Sequence, residues 1–187
     1  QEILDFLNEY FKRMNIPIIQ NKGFVDKFIG DGIMALFNTS NSSNSFEAIN
    51  SINAAIGMQS NVDLFNKDRK KFNLQPINIG VGIHSGPVII GTVGSEDRME
   101  STVTGDAVNL ASRLEGLTKF YKSKIIISKS TFDLIPKKNT FEIRKLDKVL
   151  VKGKSEPLEI YEVYNCDPKI IRQKKKRNNK KFTSGME

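Results

Sequence analysis

Phe24-Val25-Asp26-Lys27-Phe28-Ile29-Gly30-Asp31-Gly32-Ile33-Met34-Ala35-Leu36-Phe37 is a pair of apolar runs joined by Gly-Asp-Gly. Asp-Gly supplies residues that tolerate positive φ, so the stretch predicts a tight β-hairpin. Regular alternation in the first strand puts Val25, Lys27 and Ile29 on one face and Phe24, Asp26 and Phe28 on the other. Each face then carries one charge among apolar neighbours, unlike a solvated edge strand. Asp31 falls at the tip, on a rigid support. A carboxylate there suits an oxygen-seeking cation such as Mg²⁺. The plainer alternative is a surface turn aspartate with a lysine in an ion pair.

Working outward, 187 residues with an apolar fraction of 39% suffice for one domain with a core. No apolar run approaches a membrane span and no signal peptide opens the chain. The expectation is a cytoplasmic domain, or one at the cytoplasmic face of a membrane if fused to membrane segments outside this stretch. Cys166 is the sole cysteine, which excludes an internal disulfide and a cysteine zinc cluster. His84 is the sole histidine, which excludes a multi-histidine metal site.

Most of the net charge of +8 sits at the C-terminal end. Lys169, Arg172, Lys174, Lys175, Lys176, Arg177, Lys180 and Lys181 face only Asp167 and Glu187 there. Residues 165–187 therefore read as a basic, disordered tail or linker. Aromatic residues are not interleaved with the basic ones, apart from Phe182, so no nucleic-acid partner is expected.

Ile3, Leu7, Phe11, Met14 and Ile18 recur every three or four residues and predict an amphipathic helix. Pro17 should kink or end it near Ile16, and the chain begins inside the pattern, as a fragment would. After a polar loop, Asn44 and Glu47 resemble a capping box. A second helix follows, with Phe46, Ile49, Ile52 and Ile56 on one side. Pro76–His84 and Val88–Val93 read as strands of a second hairpin about Ser85-Gly86-Pro87, and His84 reads as a structural histidine. Ser101–Thr104 is a short strand. Asp106 can cap a helix to about Leu117, with Leu110, Leu114 and Leu117 as its core stripe.

Asn109 and Arg113, four apart, stack on an adjacent face of that helix. An amide above a guanidinium can hold a phosphate or oxyanion. A helix-surface hydrogen bond is the simpler possibility. Ile125-Ile126-Ile127 reads as a buried strand, Ser128–Ile135 as a short helix, and Phe141–Leu150 and Leu158–Tyr164 as strands. Between the last two lies Val151-Lys152-Gly153-Lys154-Ser155, a lysine loop of the kind that clamps a triphosphate. Helices and hairpins alternate, without a Gly-x-Gly-x-x-Gly turn or a Walker lysine. This predicts an α+β domain with a mainly antiparallel sheet.

Five segments in order resemble the class III nucleotidyl cyclase catalytic domain. They are Leu7–Phe11, Gly23–Asp31, Gly82–Gly86, Thr102–Glu115 and Val151–Lys154. The resemblance covers residues 1–164 as one catalytic domain. It implies a ferredoxin-like βαββαβ core with extra C-terminal strands and a head-to-tail dimer, either a homodimer or a pair with a paralogous domain. Two active sites lie in such an interface, each built from both subunits. The implied function is adenylate cyclase activity, turning ATP into 3′,5′-cyclic AMP and pyrophosphate for cyclic-nucleotide signalling. A guanylate cyclase, or a catalytically silent regulatory or dimerisation domain, is the alternative.

The resemblance assigns roles residue by residue. Asp31 matches one of two metal aspartates that hold two Mg²⁺ or Mn²⁺ ions per site. The other belongs to a first strand expected upstream of Gln1, so the segment alone is expected to be inactive. Lys27 and Thr102 match the base-reading positions. A lysine donates to adenine N1 and clashes with the N1–H of guanine, which favours ATP. Asn109 and Arg113 match the catalytic pair that orients the ribose and stabilises the transition state. Lys152 matches the lysine that holds the terminal phosphates, with Lys154 as its helper.

Overall fold

The computed structural model describes residues 1–38, 43–95, 98–137, 141–150 and 156–183, without the side chains of 93–95, 98–102 and 180–183. The elements run α1 (Glu2–Gln20), β1 (Phe24–Ile29), β2 (Gly32–Leu36), α2 (Asn44–Lys71), β3 (Val81–Ile83), β4 (Ile89–Ser95), β5 (Arg98–Thr104), α3 (Asp106–Tyr121), β6 (Ile125–Ser128), α4 (Lys129–Asp133), β7 (Ile143–Val149), β8 (Leu158–Val163) and α5 (Lys169–Thr183). The class is α+β, and every strand pair is antiparallel except β3 with β6.

A four-stranded sheet of order β3-β6-β8-β7 carries the core. Ile125, Ile126 and Ile127 are fully buried, as a strand covered on both faces must be. The pleat sends Ile125 and Ile127 to Ile52 and Ala55 of α2, and Ile126 to Leu114 of α3. Helix α1 packs on the far side of α2, where Tyr10 and Met14 meet Val62 and Phe65.

Helix α1 does not stop at Pro17. The proline nitrogen has no hydrogen for the Arg13 carbonyl. Asn61 of α2 takes its place, its side-chain amide donating to that carbonyl at 2.8 Å. The ring sits against Gly57, where an added Cβ would lie 2.7 Å from the proline Cβ. Pro17 is thus a helix–helix contact, and the expectation that the helix could end near Ile16 is corrected.

Two other expectations change. The Val88–Val93 run does not form a hairpin with the strand before it, because β3 pairs in parallel with β6. Strand β4 instead forms a hairpin with β5, with Gly91 opposite Thr102. The basic tail is also not disordered throughout. Residues Lys169–Thr183 form α5, which ion-pairs back onto the domain. Arg172 donates to Glu142, and Lys175 donates to Asp167 and, at 2.7 Å, to Glu162. Glu162 is 1% exposed, and it also accepts from Ser123 and Arg144, each at 2.6 Å.

Candidate active site

The β1–β2 hairpin carries Lys27 and Asp31, but its first strand is not regular. Val25 lies opposite Ala35 and Lys27 opposite Met34, so Asp26 is an extra residue, a β-bulge. Residues directly opposite share a face, so the bulge reverses the alternation. Lys27 shares a face with Phe24 and Ile29, and Val25 shares the other with Phe28. This corrects the faces expected from strict alternation. Phe28 stacks on Phe11 of α1, with ring centroids 4.1 Å apart, and Ile33 packs toward Tyr10 and Met14. The Val25 and Phe28 face therefore lies against the helices, and Lys27 is presented on the opposite side.

Asp31 is exposed at the turn, after Gly30 with φ 62°. Tyr10 feels its charge. Burial raises the Tyr10 phenol above its ordinary value, and the Asp31 carboxylate adds to that rise. The hairpin tip thus sits beside the middle of α1.

Helix α3 carries the second half of the site. Two glycines set its position. A Cβ on Gly82 would lie 2.4 Å from the Ala111 carbonyl oxygen and 2.2 Å from the Glu115 nitrogen. A Cβ on Gly80 would lie 2.0 Å from Thr118 Oγ1. The helix therefore rests directly on the backbone of β3 and the segment before it. Gly105, at φ 144°, turns the chain out of β5 into the helix. Asp106 is the first helical residue, where its charge favours the helix dipole.

Ala107, Leu110 and Leu114 face the core. Asn109 is exposed and Arg113 half-buried, one turn apart. Among the described residues neither side chain makes a hydrogen bond or an ion pair. The helix-surface hydrogen bond considered from sequence is not formed, and both groups remain available to an anion.

Thr102 lies on β5, directly opposite Gly91 of β4. Lys152 and Lys154 fall outside the described residues. Hydrogen bonds and ion pairs do not join Asn109 or Arg113 to the hairpin in this single chain. For a divalent cation, the described residues hold no group of three His, Cys, Asp or Glu that would form a cage. Asp31 alone fits as one carboxylate of a site completed by substrate phosphates or another chain, the way Mg²⁺ is commonly held.

His84 is structural, as read from sequence. Its Nδ1 lies 2.8 Å from Ser128 Oγ and 3.1 Å from Ser130 Oγ. No simple sequence pattern pointed to the Asp26 bulge or to the Glu162 cluster, since both arise from pairing between distant strands.

Residues 1–165 match the family model described as the adenylate and guanylate cyclase catalytic domain. The chain belongs to that family. It is 47% identical over 167 residues to an adenylate cyclase of Anabaena cylindrica, a match covering 87% of this chain and 32% of that protein. It is 45% identical over 177 residues to the terminal-differentiation specific adenylate cyclase of Dictyostelium discoideum, covering 92% of this chain and 8% of that protein. The chain thus spans a third or less of the length of these relatives. Among solved structures, the adenylyl cyclase CyaB from P. aeruginosa superposes with a TM-score of 0.77 at 30% identity, covering 87% of this chain and 82% of the other. The guanylyl cyclase Cya2 gives 0.74 at 32% identity, covering 87% and 80%. No helix among the described residues is long and apolar enough to cross a membrane.

Proposed function

We propose that this domain is an adenylate cyclase that works as a head-to-tail dimer on the cytoplasmic side. The observation that carries this reading is the Asn109 and Arg113 pair, one turn apart on a helix seated on β3, with neither side chain engaged among the described residues. The 45–47% identity to proteins named adenylate cyclase supports the choice of nucleotide.

In the reaction, the ribose 3′ oxygen of ATP forms a bond to the α-phosphorus. The bond from that phosphorus to the bridging oxygen breaks, pyrophosphate leaves, and the hydroxyl proton passes to solvent. Arg113 stabilises the charge that builds on the α-phosphoryl oxygens, and Asn109 orients the ribose. Lys27 donates to adenine N1, and Thr102 accepts from the 6-amino group. Lys152, helped by Lys154, holds the terminal phosphates. Asp31 would hold Mg²⁺ or Mn²⁺ together with the substrate phosphates, two ions to a complete site. Such ions lower the pKa of the hydroxyl and neutralise the phosphates. Asp31 comes from one subunit, and Lys27, Thr102, Asn109, Arg113 and Lys152 from the other. The partner is a second copy or a paralogous domain, and nucleic acid is not a partner.

Base choice is the sharpest test. Lys27→Glu with Thr102→Cys, made in the full-length protein, should move preference from ATP toward GTP. One mismatched buried donor is worth about 1–3 kcal/mol, so the ratio of kcat/KM values should change at least severalfold. An unchanged ATP preference would contradict the assignment.

A further inference from the structure

Asp26 is the extra residue of the β1 bulge, and its side chain is 9% exposed. Its Oδ2 is shut off from solvent and accepts no hydrogen bond. A carboxylate oxygen buried in this way is unfavourable unless a cation faces it. The Lys27 ammonium does so, 3.4 Å from that oxygen.

Neighbours on a regular strand point to opposite faces, which would hold the two charges apart. The bulge removes that constraint. It lets residue 26 turn its carboxylate toward the ammonium of residue 27. Lys27 is 36% exposed, so its head reaches the open side of the hairpin while the carboxylate stays buried behind it.

From this juxtaposition we infer that Asp26 is a positioning residue for base recognition: its buried carboxylate holds the Lys27 ammonium by charge and limits the directions its N–H donors can take. An ammonium has three donors on a flexible four-carbon stem. With Asp26 behind it, the head's orientation is limited before the nucleotide arrives. That preorganisation favours a base presenting an acceptor at N1 over one presenting a donor. The inference rests on the reading of Lys27 as the base-reading residue.

The test is steady-state kinetics of the full-length protein with ATP and with GTP, for wild type, Asp26→Asn, Asp26→Glu, Lys27→Ala and the Asp26→Asn/Lys27→Ala pair. Asp26→Asn should raise KM for ATP about tenfold with kcat little changed, and lower the ATP-over-GTP preference by a similar factor. In the Lys27→Ala background the same substitution should have no further effect on that preference. Asp26→Glu, which keeps the charge, should recover part of it. If Asp26→Asn folds poorly, the comparison of ATP with GTP in Asp26→Glu carries the test, with a smaller loss confined to ATP.

Equal losses for the two nucleotides would make Asp26 merely structural and overturn the inference. So would an Asp26→Asn effect undiminished by Lys27→Ala. Failure of the underlying reading has a different signature: Lys27→Ala would itself leave the ATP-over-GTP ratio unchanged.

Discussion

The side-chain amide of Asn61 donates to the backbone carbonyl of Arg13 across the α1–α2 interface at 2.8 Å, standing in for the hydrogen that Pro17 lacks. A buried carbonyl without a partner is destabilising. Asn61→Ala should therefore cost about 1–3 kcal/mol in chemical denaturation. In a Pro17→Ala background the helix regains its own N–H, and the cost of Asn61→Ala should shrink. Additive costs would show that the amide does not serve this carbonyl.

Gly82 sets the height of α3 over β3. A methyl group there meets helix backbone at 2.2 and 2.4 Å, and backbone cannot swing aside as a side-chain end can. Gly82→Ala should destabilise the domain by about 1–3 kcal/mol. It should also depress cyclase activity beyond what lost stability explains, because Asn109 and Arg113 ride on the displaced helix. Measuring thermal unfolding together with kcat separates the two effects.

The Glu162 cluster gives a pH prediction. Burial pushes the Glu162 pKa up, but hydrogen bonds from Lys175 and Ser123, the charge of Lys175 and a further bond from Arg144 outweigh it and hold the carboxyl below its ordinary value of 4.5. The unfolded chain takes up the proton at that ordinary value, and the folded chain resists until lower pH. The stabilisation is present above pH 4.5 and is lost as pH falls through the folded value. The melting temperature should drop on acidification below that point, and the drop should be smaller in Glu162→Gln. Lys175→Met should loosen α5 and cost about 1–3 kcal/mol at neutral pH. Increased protease cleavage within 169–183 would register the loosening.

Much of this was legible in the sequence because it depends on local signals. The Gly-Asp-Gly turn, the Ile125–Ile127 strand and the Leu110 and Leu114 stripe are each set by neighbours in the chain, and each formed as expected. Helix spacing placed Asn109 and Arg113 one turn apart, but only the resemblance singled them out as a site. What was not legible depends on partners far along the chain. Pro17 continues its helix only because Asn61 answers it. The Asp26 bulge is a property of two strands paired, so alternation within one strand misassigned the faces of Lys27 and Val25. The basic residues Arg172 and Lys175 suggested a solvated run, since nothing local reveals Glu142 and Glu162 as their counter-charges.

A shared site would join Asp31 of one subunit to Lys27, Asn109 and Arg113 of its mate. The most direct measurement mixes two variants of the full-length protein, Asp31→Ala and Arg113→Ala, each inactive alone. Random pairing makes half the dimers mixed, and each mixed dimer has one intact site of two. Cyclic AMP production should return to about a quarter of the wild-type rate. A mixture as inactive as its two components would contradict a shared site.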